Sequence, residues 1–423
     1  METISEVEKR VFAKIAWRLV PILAVANVFN FVDRLNIGFA ALTMNQDVGL
    51  TATQFGAGAG ILFLGYCSCG FPSNLALYRF GARIWITLLV VTWGLVSAAT
   101  CLVSGPVSWY LLRVLLGVAE AGFFPGVTYL IGTWFPAEYR ARILAWFLLA
   151  VPVSSIISGP VSGLLLKMDG IAGIAGWQWL FLLEGLPAAL VGVVIPLVIV
   201  DRPEQARWLT EEERQVVAKR IRGEQRDRPV GRLLPAMKDV RVLTLAVVQF
   251  GFIVGAYGVG VWLPQIIKAG HFSDLEVGFV TGGCYVVASI GMFAWSAYVD
   301  RSGRRIRHLT LACLAAAVGS ILAILTGNFW LSLTWLTVAL IGITAARTIF
   351  WAIPARFLTG LAAAGGIAFI NSIGTTGGFV GPALIGWLKD QTGSFSAGLL
   401  AMAGILLIST VMAWSLRFYV KHE

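Results

Sequence analysis

An arginine and a glutamate interrupt an otherwise apolar stretch between Trp109 and Phe135. The stretch exceeds the ~20 helical residues that cross a hydrocarbon layer, and Arg113 and Glu120 lie seven residues apart within it. Because seven residues is close to two turns of an α-helix, both side chains are expected on one face. Ionisable groups at this depth usually face a protein interior or a watery cavity. The pair therefore predicts one wall of a polar cavity; the alternative is a structural ion pair between helices.

Two further arginines lie in apolar stretches, Arg34 near the N-terminus and Arg347 in the second half of the chain. A carboxylate that enters a cavity of low polarity loses hydration, and an opposite charge must replace it. A guanidinium group stays protonated and can form two hydrogen bonds to one carboxylate, so Arg34 and Arg113 are suited to bind an organic anion. Arg34 could instead pair with Asp33 or a helix end. Arg347 could bind a second carboxylate or extend toward the membrane surface.

Three carboxyl groups also lie within apolar stretches, those of Asp33, Glu120 and Glu184. Burial favours the protonated form of a carboxyl group, and a neighbouring arginine favours the ionised form. A site with both influences can gain and lose a proton as a cavity opens, so Asp33 and Glu120 are candidate proton carriers. Glu120 is expected to pair with Arg113, and a permanent ion pair is the alternative for each acid. We expect Glu184 to be structural.

The composition indicates a helical membrane protein. The chain has 423 residues, of which 58% are apolar and 13% charged, whereas soluble proteins carry about 25% charged residues. Apolar runs of roughly 20 residues recur along the chain, without the alternation of β-barrel strands. The five cysteines lie in or beside these runs and no histidine cluster accompanies them, which favours buried thiols over a disulfide or metal site. The net charge of +10 is typical of basic loops at a membrane rather than of nucleic-acid binding.

Twelve spans are predicted, with one long polar segment after the sixth. The predicted spans are residues 17–42, 54–77, 83–104, 108–135, 141–166, 177–200, 242–268, 276–299, 307–326, 329–357, 361–388 and 395–418. The polar segment, residues 201–239, separates a first bundle, residues 1–200, from a second, residues 240–423. Within it, Thr210 followed by Glu213 has the spacing of a capping box and predicts a short helix.

Basic residues predict how the chain is oriented. The polar segment holds ten Lys or Arg, and further arginines lie in the loops after spans 2, 4 and 8. The opposite loops hold little more than Lys167, Lys268 and Lys389. Because basic loops of membrane proteins face the cytoplasm, both termini and the polar segment are expected there.

An internal repeat relates the two bundles at an offset of 222 residues. The segment Arg79-Phe80-Gly81-Ala82-Arg83 after span 2 matches Arg301-Ser302-Gly303-Arg304-Arg305 after span 8. The same offset relates Gly159-Pro160 in span 5 to Gly381-Pro382 in span 11. Parallel repeats of six spans occur in transporters that bind substrate between their halves. We expect the two Gly-Pro pairs to bend spans 5 and 11 where the halves move against each other.

With these motifs, nearly the whole chain resembles the major facilitator superfamily. The second loop is similar to the signature G-x-x-x-D-R-x-G-R-R of that superfamily, and its matching residues are Asp300, Arg301, Gly303, Arg304 and Arg305. The first loop has Tyr78 where the family prefers Asp and Asn74 where it prefers Gly. The resemblance implies that both loops control the change between inward and outward states, and that the first copy locks its interface less strongly than usual.

Within the superfamily, the chain looks like the anion:cation symporters, specifically the bacterial tartrate- and phthalate-type permeases. The matching segments are Asn30–Gly38, Arg113, Gly117–Gly122, Trp134–Pro136, Ala368–Gly374 and Gly377–Pro382. Related permeases often have Asn-Leu after Gly374, where this chain has Thr375-Thr376, so a substrate contact is expected to differ. Arg347 is also unusual for the group.

The resemblance implies roles for the charged residues. It assigns Asp33 and Glu120 to proton coupling, and it supports Arg34 and Arg113 as substrate-binding or gating groups. Other polar residues could donate hydrogen bonds to the substrate, or could join helices to one another. These additional candidates are Asn30, Tyr66, Asn371, Ser372 and Thr375.

The sequence therefore predicts an all-α protein of twelve transmembrane helices in two six-helix bundles. The predicted function is proton-coupled import of a small organic carboxylate, of the tartrate, phthalate, aromatic acid or sugar acid class, by a monomer in a bacterial inner membrane. The alternatives are a multidrug exporter, an anion exchanger or uniporter without proton coupling, and a membrane sensor that transports nothing. The sequence has no P-loop, zinc-ligand spacing or nucleophile elbow, so no enzyme, cofactor or metal is predicted.

Overall fold

The computed structural model describes residues 6–224, 239–358 and 360–420, and the regular elements in this part of the chain are helical. Helices satisfy their own backbone hydrogen bonds, which a membrane interior requires. Within these ranges, twelve helical spans are long and apolar enough to cross a membrane, as predicted. Spans 1 to 12 are Glu6–Val48, Ala52–Phe80, Ala82–Leu102, Pro106–Trp134, Ala137–Leu166, Gly176–Val198, Val240–Lys268, Asp274–Ser302, Arg305–Leu325, Phe329–Phe350, Gly365–Thr392 and Phe395–Phe418.

Span 1 begins well before its predicted start, because its polar first turns pack against the segment after span 6. That segment contains the helix Glu211–Glu224. Thr210 and Glu213 exchange the predicted capping-box hydrogen bonds, at 2.9 and 3.2 Å. Lys14 Nζ lies 2.7 Å from Glu213 Oε2, and this hydrogen bond lowers the pKa of Glu213. The rest of the predicted linker, residues 225–238, lies outside the described residues.

Three spans consist of two consecutive helices. They are Pro106–Glu120 with Phe123–Trp134 in span 4, Ala137–Leu148 with Ala150–Leu166 in span 5, and Gly360–Thr375 with Gly377–Thr392 in span 11. The expected bends at Gly159-Pro160 and Gly381-Pro382 do not coincide with these interruptions, because both pairs lie inside continuous helix. In span 5 the interruption precedes Pro152, which lacks the N–H that would bond to the carbonyl four residues earlier. In span 11 two glycines of low helix propensity follow it.

The Gly-Pro pairs instead lie where the two halves cross at close range. A Cβ on Gly278 of span 8 would collide with the Gly159 carbonyl oxygen, and one on Gly56 of span 2 would collide with the Pro382 carbonyl oxygen. The offset of 222 also relates Gly56 to Gly278. The contacts of span 2 with span 11 and of span 5 with span 8 are therefore copies of one helix crossing, as the parallel repeat predicts. Glycine allows this approach because it has no side chain.

These crossings seal one face of the molecule. Asp390, near the end of span 11, accepts hydrogen bonds from the backbone N–H groups of Ala52 and Thr53, at 3.1 and 2.7 Å. Gly163, near the end of span 5, packs against Asp274 at the start of span 8. We call the end of the bundle that carries these five residues the sealed face. The loops after spans 2 and 8 lie at the opposite end.

Candidate functional site

The predicted charged residues meet where the Arg34 side chain of span 1 reaches spans 4 and 7. Arg34 of span 1 donates from Nε and Nη2 to the single oxygen Oε2 of Glu120 in span 4, at 2.9 and 2.6 Å. The Arg34 side chain is 11% exposed and that of Glu120 is fully buried. Both charges are thus withdrawn from water, and their ion pair compensates part of the desolvation cost.

Arg34 also connects the two halves of the protein. Its Nη1 donates to the hydroxyl oxygen of Tyr257 in span 7, at 3.2 Å. The rings of Phe31, Phe63 and Tyr66 surround the guanidinium group, with centroids 5.3 to 5.8 Å from its central carbon. Aromatic faces attract cations, so this cage holds Arg34 between the halves. Tyr66, a predicted binding residue, therefore contacts the predicted arginine directly.

Arg113 differs from its predicted arrangement. Its guanidinium lies over the Trp109 ring at 5.4 Å, and its Nε has no hydrogen-bond partner among the described residues. It interacts electrostatically with Glu120 and Asp33, but the hydrogen bonds to Glu120 come from Arg34. The first helix of span 4 ends at Glu120, which allows that carboxyl group to turn toward span 1. Spacing along one helix could not reveal this competing partner.

Asp33 is 1% exposed and does not form the direct pair with Arg34 that was one alternative. Its Oδ1 accepts a hydrogen bond from Ser97 Oγ of span 3, at 2.6 Å. Its buried Oδ2 has no partner within the described part of the chain. Asn30, one turn earlier in span 1, is also buried, and its Nδ2 has no such partner. Unsatisfied buried polar atoms of this kind mark places where a proton, water or ligand can be accommodated.

The C-terminal half contributes a third arginine. The guanidinium of Arg347 in span 10 lies 5.4 Å from the centroid of the Phe31 ring, and it interacts electrostatically with Arg34 and Tyr257. It therefore reaches the charged cluster and does not extend toward the membrane surface. Among the described residues, no carboxylate oxygen lies within 4 Å of a guanidinium nitrogen of Arg347, which is the distance limit for an ion pair.

Span 11 supplies the other predicted polar residues, at the opening between the halves. Asn371 Oδ1 accepts a hydrogen bond from Gln249 Nε2 of span 7 at 3.2 Å, and Asn371 is exposed while Thr375 is half-buried. Ser372 is exposed, and its carbonyl oxygen lies 3.9 Å from Cys67 Sγ of span 2. These residues border the same interface as Tyr66, but no direct contact joins them to Arg34.

Sequence reasoning missed Tyr257 and Gln249 of span 7. Gln249 had a recognisable signal, since it is a polar residue in an apolar helix, and it is 3% exposed. Tyr257 had no such signal, because a tyrosine in a membrane span usually does no more than pack against its neighbours. Its hydroxyl became identifiable only through its contact with Arg34.

The two signature loops lie away from this cluster and bond within their own halves. Arg83 donates from its backbone N–H to Asp201 Oδ1 at 2.8 Å, and from Nε to the Pro196 carbonyl oxygen at 3.0 Å. Gly81 and Gly303 have positive φ angles of 81° and 71°, so each fits a turn that favours glycine. Of the predicted gating residues in the two loops, Arg305 is half-buried, and those that are exposed are Arg79, Arg83, Asp300, Arg301, Gly303 and Arg304.

The described residues form twelve membrane spans in two repeat-related halves, and a charged cluster lies where the halves meet. This is the architecture of a secondary transporter. Residues 23–359 and 245–423 match the Major Facilitator Superfamily. The chain belongs to this family of membrane transporters, as its motifs predicted.

Several relatives match nearly the whole chain, and two of them are described here. A protein of Agrobacterium vitis named "Putative tartrate transporter" is 48% identical over 410 residues, which cover 96% of this chain and 91% of that protein. The quinolone resistance transporter of Acinetobacter baumannii is 41% identical over 425 residues, covering 98% and 96%. Among solved structures, a bacterial homologue of the human lysosomal transporter Spinster, inward-facing and occupied, is similar in fold, with a TM-score of 0.78 at 16% identity and coverage of 93% and 95%.

Proposed function

We propose that this transporter imports a small organic carboxylate together with protons. The strongest support is that Arg34 hydrogen-bonds both to Glu120 of its own half and to Tyr257 of the other half. A guanidinium in this position can exchange an internal carboxylate for one carried by a substrate. Such an exchange changes the charge of the site and the contact between the halves at the same time.

The exchange provides a physical link between substrate and proton. When an anion binds Arg34, Glu120 loses its counter-ion inside a buried site, and protonation relieves the cost of that isolated charge. When both anion and proton have left, the Arg34–Glu120 pair forms again. The empty transporter can then return to its starting state without an uncompensated charge on this pair. This favours a complete transport cycle.

The charges of the cluster favour an anionic substrate. Three guanidinium groups, those of Arg34, Arg113 and Arg347, face two carboxyl groups, those of Asp33 and Glu120. One positive charge remains in excess when both acids are ionised, and each proton bound adds another. A monocarboxylate thus balances the ionised site, and a dicarboxylate balances it after one proton has bound. Cations would be repelled.

The remaining elements of the proposal concern orientation and gating. We assign residues 1–200 and 240–423 to the two moving bundles and residues 201–239 to a cytoplasmic linker, in a monomer of a bacterial inner membrane. The basic loops support a cytoplasmic position of both termini, and the sealed face is then external. Gly159-Pro160 and Gly381-Pro382 then lie at the external gate, and the signature loops at the internal one.

Reconstituted protein in proteoliposomes tests this proposal. A pH-sensitive dye inside the vesicles reports proton entry on addition of L-tartrate, phthalate, an aromatic acid or a sugar acid, and radiolabelled anion reports uptake. Substrate-dependent acidification with anion uptake is expected for at least one acid. Arg34→Ala should abolish both, whereas Lys167→Ala, a change of a loop cation, should leave both intact. Anion transport without acidification would show exchange or facilitated diffusion and would overturn the symport.

A second candidate is export of quinolone-type drugs, because one close relative is a quinolone resistance transporter. The same proteoliposomes distinguish it. Loss of a preloaded fluorescent quinolone against its gradient, without uptake of any of the four acids, would favour export. Quinolones also carry a carboxyl group, so the three arginines of the cluster do not separate the two candidates, and the uptake of the four acids decides between them.

A further inference from the structure

One buried carboxyl group of the N-terminal half lies outside the cluster described above. Glu184 of span 6 is 3% exposed. Its Oε2 accepts a hydrogen bond from Asn36 Nδ2 of span 1 at 2.7 Å, and its Oε1 accepts one from Ser162 Oγ of span 5 at 3.1 Å. Glu184 therefore joins three helices through neutral partners, in contrast to the ion pair of Glu120.

No cation accompanies this carboxyl group. Over the described ranges, no side-chain nitrogen of Lys, Arg or His lies within 4 Å of the Glu184 carboxyl oxygens, the distance limit for an ion pair. Asp33 of span 1 is the titratable group that faces it. Span 5 presents the neutral hydroxyl of Ser162 to Glu184, and span 3 presents that of Ser97 to Asp33. An isolated carboxylate is costly inside a membrane, whereas a carboxylic acid needs no counter-ion. Glu184 can therefore hold a proton while the sealed face is closed.

The surroundings of Glu184 can accept either protonation state. Asn36 Nδ2 donates to the carboxylate, and Asn36 Oδ1 is buried without a partner among the described residues. A rotation of this amide would present Oδ1 as the acceptor for a protonated carboxyl group. Asn36 thus serves a group that gains and loses a proton, which a purely structural hydrogen bond does not require.

Glu184 lies between the sealed face and Asp33. Span 6 begins at Gly176 on the sealed face, and eight residues of helix place Glu184 roughly 12 Å from that start. Span 1 ends there at Val48, and fifteen residues place Asp33 roughly 22 Å from that end. Asn36 is one turn from Asp33 on the side of the sealed face. The carboxyl groups are thus ordered Glu184, then Asp33, toward the substrate cluster.

We propose that Glu184 is a proton-relay residue that supplies Asp33 from the external face, by a route separate from the path of the substrate. This inference depends on the proposed proton coupling. When the external face opens, solvent protonates Glu184. The proton then passes to the free Oδ2 of the Asp33 carboxylate, which leaves Asp33 neutral and Glu184 ionised until solvent protonates it again. Arg34 and the anion take no part in this transfer.

Glu184→Gln tests the relay, because glutamine keeps the size and hydrogen bonding of the side chain but carries no exchangeable acid proton. In proteoliposomes with L-tartrate, tartrate counterflow at equal pH should stay within about two-fold of wild type. Uptake driven by a proton gradient should fall at least about ten-fold, which corresponds to ~1.4 kcal/mol. Glu276→Gln, a surface change in span 8, is the matched control and should alter neither rate.

A measurement that does not depend on transport and a second variant test the relay further. Infrared difference spectra of purified wild type and Glu184→Gln should show the loss of one carboxylic-acid C=O band near neutral pH. Asn36→Leu, which retains Glu184 but removes its link to span 1, should slow proton-driven uptake while counterflow persists. Unchanged proton-driven uptake in both variants, or no lost acid band, overturns the relay. Absence of acidification by wild type overturns the proposed symport itself, so the two failures are distinct.

Discussion

Arg34 directs two nitrogens of its guanidinium group at one oxygen of Glu120, at 2.9 and 2.6 Å, and the other oxygen of that carboxyl group has no partner among the described residues. Two hydrogen bonds therefore hold one oxygen of Glu120, whereas its other oxygen is available to a new partner. An incoming carboxylate can compete for Arg34, and a proton can bind Glu120, without rearrangement of the helices that hold them. This relationship leads to the first two predictions below, and the contacts between the halves at the sealed face lead to two more.

Arg34→Lys should fold but bind substrate poorly. Lysine keeps the charge but cannot form the fork, and a charge-assisted hydrogen bond contributes about 1.5–3 kcal/mol. The apparent affinity for L-tartrate in counterflow should therefore weaken by about 10- to 100-fold. Arg241→Lys, which changes an arginine outside the cluster, should keep wild-type affinity. Wild-type affinity of Arg34→Lys would show that this side chain does not bind the anion.

Glu120→Gln should uncouple transport from protons. The glutamine cannot titrate, so the site no longer exchanges a proton for the anion. Tartrate counterflow should persist, whereas accumulation should no longer respond to an imposed pH gradient. Both are measured in proteoliposomes at several external pH values. If accumulation still follows the gradient, Glu120 is not the coupling residue.

Asp390→Asn should weaken the sealed face. The carboxylate accepts hydrogen bonds from the start of span 2, where the helix dipole also favours a negative charge. A loss of about 1 kcal/mol should raise hydrogen–deuterium exchange of residues 52–60 by about five-fold. Lys389→Gln changes the neighbouring charge and serves as control. Equal exchange in Asp390→Asn and wild type would contradict a role in closure.

Gly278→Ala should destabilise the crossing of spans 5 and 8. The added Cβ collides with the Gly159 carbonyl oxygen, and overpacking of this kind costs about 1–3 kcal/mol. Thermal unfolding in detergent should occur at lower temperature, and transport should slow. Gly283→Ala in the same span is the matched control, because no described atom lies within 4 Å of its Cβ position. Equal effects of the two changes would exclude a special contact at Gly278.

Much of the architecture was accessible from sequence because its signals are local. Apolar runs long enough to cross a bilayer predicted the twelve spans, and Thr210 with Glu213 predicted a cap that forms. The repeat offset of 222 residues also relates the glycines of the two helix crossings. The loop motifs alone did not reveal that these glycines form the crossings. The sequence did not reveal the interruptions in spans 5 and 11, which lie outside the two Gly-Pro pairs.

The choice of partners in the cluster was not accessible in the same way. The amino-acid order sets which residues are charged, how deep they lie and which helix face they share, because helical geometry is the same in every span. It does not set how one helix is rotated and placed against another. The preference of Glu120 for Arg34, the arrival of Tyr257 and Arg347 from the second half, and the isolation of Glu184 all depend on that packing. Contacts of 3 Å between distant segments exist only after the helices have been brought together.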